Sequence, residues 1–290
     1  MKLVLGTAQF GQTYGVANSS GQISIDEGRS ILNYCRGQGI HKIDTAIGYG
    51  TSEMRLGMIG VHDFDVITKI SSIPDSCNDI GYWLENEIDC SMSRLNIKTL
   101  FAVMLHRPQQ LFGSAGPDLL EALIKLKRSG KVNKIGVSVY DPTELVAIYS
   151  FYEFDIIQAP FNLIDRSLVS TGWLENLTKK GVEVHCRSCF LQGLLTLPRE
   201  NIPKEFEQWE SIWNVWHNWL DNSRFVSPVE ACLNFVKSYS DINNIVVGVD
   251  SLEQLKQIVA ATIKNINVNT FPDISSSDPH LINPSNWGMR

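Results

Sequence analysis

The stretch IDTAIGYGTSEMRLGMIG, Ile43 to Gly60, opens like a buried β-strand, turns through glycines and continues with the spacing of a helix. A second strand-like run, DVITK at 65–69, follows it. The pattern repeats outward in both directions. Short β-branched or apolar runs stand at KLVLG (2–6), HKIDT (41–45), DVITK, TLFAVML (99–105), KIGVSV (134–139), FDIIQA (154–159), VEVHC (182–186) and NIVVGV (244–249). Helical-period segments separate them, starting with 24–39, where Ser24 and Glu27 have capping-box spacing, and continuing to about 168–180, 205–220, 228–238 and 251–263. Strictly alternating strands and helices mean parallel strands joined by helical crossovers. Eight such units predict an α/β fold of the (β/α)8 TIM-barrel type, a single domain over 1–290. An open doubly wound sheet would carry G-x-G-x-x-G after its first strand, and LGTAQFGQTYG does not.

Composition narrows the function classes. The chain has 290 residues, 43% hydrophobic and 19% charged, with a formal net charge of −6. Lys and Arg are scattered, so a phosphate-backbone footprint is missing and nucleic acid is not an expected partner. Met1 leads straight into a strand, and no apolar run approaches 18 residues, so no membrane association and a cytoplasmic location are expected. The tryptophan-rich segment EQWESIWNVWHNWL is interrupted by acids and lacks a basic face, which predicts packing against the barrel exterior rather than a membrane surface. The polar tail 264–290 is expected to lie over the barrel surface. Cys186 and Cys189 have C-x-x-C spacing, but a Gly-broken loop follows where a redox site needs a helix start, so they read as packing residues. The six histidines show no ligand spacing, and no metal is expected.

In such a barrel, function sits where strands end and βα loops begin. Strand two ends at Asp44 with Tyr49 in its loop, strand three at Lys69, and strand four at His106. Singly, each has an ordinary reading as a helix cap, loop aromatic, surface lysine or core histidine. Jointly, they place four chemically compatible groups at three successive strand ends. A phenol titrates near ~10, and an adjacent ammonium lowers that value, so Lys69 is expected to tune Tyr49 downward. Asp44 supplies the counter-charge that keeps a buried lysine protonated. His106 can donate a hydrogen bond to a carbonyl oxygen.

With these residues in place, the chain resembles the aldo-keto reductases over nearly its whole length. LGTAQFG is similar to the family's first-strand LGT…FG, IDTAIGYG to its DTA..YG, VITKI to its lysine strand and LHRP to its histidine turn. The resemblance implies a (β/α)8 barrel without metal. It also implies hydride transfer between NAD or NADP and a small carbonyl or alcohol substrate, a sugar or sugar derivative among the candidates, with Tyr49 as general acid and Asp44, Lys69 and His106 completing the tetrad. Further implied cofactor positions are Gly6, Thr7 and Ala8 after strand one, and Ser138 and Gln158 on the nicotinamide carboxamide. Arg187 stands where an aromatic residue usually stacks on the ring. Ser188, Gln192 and Gly193 are placed along the pyrophosphate, and Gly248, Asp250, Ser251 and Gln254 at the adenosine end. GVSVY has Val139 where the family has Asn, so one contact is lost. Asp250, Ser251 and Gln254 replace the Lys or Arg of NADP-preferring members, so NADH is expected to bind at least as well as NADPH. Two other functions stay open: nicotinamide-assisted isomerisation or epimerisation without net redox, and a nucleotide-sensing subunit.

Overall fold

Each strand is a short run buried on both faces over most of its length, with exposed residues confined to the strand ends at Lys2, Asp65 and Gly248 and to Asn133 near the start of the fifth strand, as the helix-covered strands of a parallel barrel require. The computed structural model describes residues 2–223, 226–264 and 271–287. Its strands are β1 (Lys2–Gly6), β2 (Lys42–Asp44), β3 (Asp65–Ile70), β4 (Leu100–Leu105), β5 (Val132–Ser138), β6 (Ile156–Pro160), β7 (Glu183–Arg187) and β8 (Asn244–Gly248). They pair in sequence order, all parallel, and β8 returns to β1 to close the barrel. Register places Gly6 beside Asp44 and Gly248, and Ser138 beside Gln158, so these residues share the rim at the strands' C-terminal ends.

Side chains two residues apart on a strand face the same side. On that rule Lys42 and Asp44, Ile67 and Lys69, Ile156 and Gln158, and Glu183, His185 and Arg187 form successive layers inside the barrel. The apolar layer is Ile67, Ala102, Met104 and Ile156, with Phe101 against it. It separates a polar floor from a polar mouth. A much larger apolar cluster, including Leu5, Ile31, Ile43, Val103 and Val137, fills the space between strands and helices.

The helix Ile25–Gly37 begins at Ser24, whose hydroxyl accepts from Glu27 N at 3.1 Å. The expected reciprocal half of that capping box is replaced by a distant contact. Glu27 Oε1 accepts at 2.6 Å from Leu252 N, the first residue of the helix Leu252–Ile263. A reciprocal box forms instead at Ser227 and Glu230, opening the helix Pro228–Lys237. The segment read as one helix over 168–180 is two, Ser167–Ser170 and Trp173–Lys179, split at Gly172 with φ 77°.

The tryptophan-rich segment forms the helix Glu210–Asn222, with Trp213 and Trp216 buried and their indoles donating to Phe206 O and Leu195 O. Among the described residues no helix is long and apolar enough to cross a membrane. Of the expected tail over 264–290, residues 265–270 and 288–290 lie outside the described residues. The described part is tied to the barrel wall: Ser276 N donates to Ile164 O, Arg166 donates to Pro272 O, and Leu281 is buried.

Candidate active site

Asp44 ends β2 and Lys69 points inward from β3. Lys69 Nζ donates to Asp44 Oδ1 at 2.5 Å and to Thr45 O at 3.1 Å, with side-chain exposures of 1% for Lys69 and 5% for Asp44. Gln158 Nε2 donates to the other Asp44 oxygen at 2.8 Å, and Ser138 Oγ donates to Gln158 Oε1 at 3.3 Å. A buried ion pair is tolerated when its remaining lone pairs are met, and here β2, β3, β5 and β6 meet them jointly.

The turn carrying Tyr49 is built on close backbone contacts. Tyr49 N donates to Ala46 O, and Ser52 Oγ donates to Thr7 O at 2.9 Å. Gly11 lies directly beneath the turn, where a Cβ would fall 1.7 Å from Tyr49 O. Lys69 Nζ sits 5.3 Å from the Tyr49 ring centre, and His106 meets the same ring edge-on at 5.8 Å.

The downward tuning of Tyr49 expected from Lys69 is not what this geometry produces. Burial, and then the Asp44 carboxylate, push the phenol well above its ordinary value, and Arg187 opposes them without prevailing. The Lys69 charge is directed at Asp44, so the phenol keeps its proton at neutral pH. His106 moves the opposite way. Burial first, then Lys69 and Arg187, lower it to about 4, so the imidazole is neutral.

A cavity of about 1550 Å³ runs from Tyr49 and His106 past Ser138 and Gln158 to Asp250. Its middle is lined by Gly6, Thr7, Ala8, Ser188, Gln192, Gly193 and Gly248. Arg187, at the end of β7, lies 4.6 Å over the Tyr140 ring and donates to Val139 O at 2.9 Å and Ser188 Oγ at 3.2 Å. The segment after β1 bridges the cavity. Val16 N donates to Gln192 O at 3.2 Å, and Asn18 Nδ2 donates to Asp250 Oδ1 at 2.9 Å. Gly193 has φ 92°, and a Cβ there would lie 2.6 Å from that of Ala17, so only glycine fits this crossing. Ser188, Leu191 and Gln192 also adopt left-handed backbone conformations, so strain is concentrated in the same loop.

A protein-family model described as "Aldo/keto reductase family" matches residues 2–278. The chain belongs to the aldo/keto reductase family. It is 26% identical to the NADH-specific methylglyoxal reductase of Escherichia coli K12, covering 80% of each chain, and 25% identical to aflatoxin B1 aldehyde reductase member 2 of Rattus norvegicus, covering 89% of this chain and 79% of that one. The holo form of an aldo-keto reductase from Bacillus halodurans shares its fold, with a TM-score of 0.74 at 18% identity over 94% of this chain and 90% of that one. The protein is accordingly an NAD(P)-dependent aldo-keto reductase acting on carbonyl compounds.

As an aldo-keto reductase the chain has distinctive wiring. Val139, in the family's Asn position, is fully buried, and its carbonyl anchors Arg187. Asp250 N donates to Gln254 Oε1 at 2.8 Å and Gln254 N to Ser251 Oγ at 3.3 Å, while Leu252 N is taken by Glu27. Two of the helix-start amides at this end, those of Leu252 and Gln254, are therefore already satisfied. Cys186 and Cys189 are free and buried, with both thiols pushed up by burial. Several lining residues went unread in the sequence: Tyr14, Tyr140, Asn18, Val229 and Ser285. Tyr140 adjoins Ser138 in GVSVY and was open to detection as a loop aromatic beside a strand end. Ser285 comes from the tail and had no local signal.

Proposed function

We propose that the enzyme transfers a hydride reversibly between a nicotinamide dinucleotide and a small polar carbonyl compound of sugar type, with Tyr49 as proton donor to the carbonyl oxygen. One observation carries this reading: a phenol held protonated by burial faces a neutral imidazole across a mouth whose lysine is neutralised by Asp44. The residues fit a dinucleotide. The cavity exceeds the roughly 300–1,000 Å³ of an ordinary small-molecule site, leaving room for cofactor and substrate together. Gly6, Gly193 and Gly248 are among its lining residues, and Ser138 and Gln158 line it from β5 and β6.

When bound, the nicotinamide supplies the hydride. Ser138 and Gln158 would hold its carboxamide, since each retains hydrogen-bonding capacity beyond its contacts with the other and with Asp44. His106 donates one N–H to the carbonyl oxygen and stays neutral through the physiological range, so it orients and polarises without competing as an acid. Tyr49 O–H delivers the proton. Lys69, with its ammonium over the phenol ring, stabilises the phenolate left behind, and Asp44 keeps that ammonium in place.

NADH is proposed to bind at least as well as NADPH. Asp250 is the charged side chain lining the adenosine end, and a carboxylate suits ribose hydroxyls while repelling a 2′-phosphate. Lys256, the nearby cation in the following helix, is turned to Glu253 at 3.7 Å and does not line the cavity. The relative named as NADH-specific, which acts on the small polar carbonyl methylglyoxal, supports the same reading.

Fluorescence titration with NADH and NADPH, followed by a screen of aldehydes, ketones and aldoses for oxidation of the preferred nucleotide, tests the reaction. Conversion of substrate without net NAD(P)H consumption would replace reduction by isomerisation, and a flat response to both nucleotides would defeat the reading. For cofactor choice, Asp250→Ser with Gln254→Arg should shift preference toward NADPH by about one to two orders of magnitude. A wild type already favouring NADPH tenfold would sink that part.

A further inference from the structure

The chain as a whole is acidic, at −6, yet the reacting end of its cavity is positively charged. Arg107, which directly follows His106, and Arg187 both line that end beside Tyr49. Neither has a carboxylate within ion-pair distance among the described residues. Arg187 is fixed by Val139 O, Ser188 Oγ and the Tyr140 ring, and the Arg107 guanidinium makes no hydrogen bond to a described residue.

The carboxylates that line the cavity do not balance them. Asp44 is neutralised by Lys69, and Asp250 lies at the far end with Asn18. The acids of the loop after β5 are taken up elsewhere. Glu144 accepts from the Tyr140 and Asp141 amides and from Gln109, and Asp141 accepts from Thr143 N. The remaining groups around the reacting pair are hydroxyls and amides, among them Tyr14, Ser71, Ser72 and Gln110. The aliphatic lining, Val229, Val246 and Ile258, belongs to the part of the cavity next to Asp250 and β8.

We propose that the substrate carries an anionic group, a phosphate or a carboxylate, on the same small polyhydroxylated skeleton as the reacting carbonyl, and that Arg107 holds it. This rests on the reductase reading above and narrows it to a substrate class. A guanidinium offers forked donors that match two oxygens of either anion, and the free fork of Arg107, beside an Arg187 whose charge is met in part by the buried Asp165 behind the cavity wall, is complementary to one negative group. Adjacent positions in one loop set carbonyl recognition by His106 and anion recognition by Arg107 on one ligand. Arg107 is exposed, so solvent and salt screen it and its effect falls at the low end of the charge-assisted range, about 10-fold in affinity.

Two measurements separate this inference from the reaction it builds on. Calorimetric titration of the purified protein with inorganic phosphate and with malonate, at fixed low salt, should give saturable binding in the wild type. Binding should weaken about 10-fold in Arg107→Gln and be partly retained in Arg107→Lys. No saturable binding of either anion, or binding unchanged in Arg107→Gln, overturns the inference whatever turnover shows. Kinetics with two matched pairs, erythrose against erythrose 4-phosphate and butanal against 4-oxobutanoate, should favour the anionic member at least about 10-fold in kcat/KM, expressed in KM. That ratio should collapse in Arg107→Gln, and the pair with the larger ratio identifies phosphate or carboxylate. Preference for the uncharged member in both pairs overturns the inference and leaves the reductase reading intact. Arg107-dependent anion binding without NAD(P)H oxidation on any of the four aldehydes supports the anion site and counts against the reaction.

Discussion

The two ends of the barrel interior carry buried charge, and they use it differently. At the floor, Glu183 accepts from Lys42 at 2.9 Å, Lys134 at 2.6 Å and Asn244 at 2.8 Å, and His185 Nε2 lies 2.8 Å from it. Both ammonium groups also lie over the Phe101 ring, at 4.4 and 5.1 Å. Burial alone would raise the Glu183 carboxyl, but the hydrogen bonds from His185, Lys134 and Lys42 hold it far below the usual carboxylate range. The floor is a closed network in which the ammonium and carboxylate groups are consumed. At the mouth the ion pair of Lys69 and Asp44 is likewise consumed, but it sits beneath a phenol, an imidazole and two guanidiniums that face a cavity. A buried salt bridge therefore does not mark the functional end. The mark is a set of polar groups that line a cavity once the salt bridge is complete.

If that contrast holds, mutations at the two ends should separate stability from activity. The largest effect is expected from Lys69→Met, which leaves Asp44 buried without its cation. Stability should fall by about 3–5 kcal/mol in urea denaturation, and turnover should be lost with it. A variant with wild-type stability would show that the mouth pair is not the structural support inferred here.

Tyr49→Phe should lower kcat at least ~100-fold with NADH affinity and folding stability nearly unchanged, because it removes a proton donor without removing a counter-charge. Parallel losses of binding and turnover would erase the distinction. At the floor, Glu183→Gln should reverse the pattern, costing about 2 kcal/mol of stability with kcat within about two-fold of wild type. The figure is set below that for a fully buried pair because Lys134 is 35% exposed and Glu183 15%.

The smallest expected effect is pH dependence, and it differs in window at the two ends. Unfolded histidine takes its proton near ~6.5, whereas folded His106 waits until about 4, so between these values the unfolded state binds more protons and stability is lost as the pH is lowered. The Glu183 carboxyl is depressed on folding, so its stabilisation is present above ~4.5 and lost below that. Denaturation midpoints from pH 7.5 to 4 should therefore fall less steeply for His106→Gln than for wild type above pH 4.5. Identical slopes would mean that His106 titrates as an ordinary exposed histidine.

Much of this was legible from residue order alone. Strand and helix periods alternate because every strand of a parallel barrel must be covered by a helix, so the eightfold pattern is written locally. Asp44, Tyr49, Lys69 and His106 were readable because each lies at a strand end or in the loop directly after one, and strand ends in such a barrel converge whatever the helices contain. The direction of the Tyr49 shift was not legible. It depends on how deeply the ring is buried and on Lys69 facing Asp44, and sequence spacing measures neither.

The same holds wherever partners are remote in the chain. Glu27 has the spacing to cap its own helix and instead caps one 225 residues away. Asn18 meets Asp250, Arg187 rests on Tyr140, and the floor collects residues from β2, β4, β5, β7 and β8. Backbone periodicity and strand-end chemistry are set by neighbours a few residues apart, and the sequence determines those directly. Which polar group finds which, and which is left facing the cavity, is settled only when the barrel closes and burial makes every unmet hydrogen bond expensive.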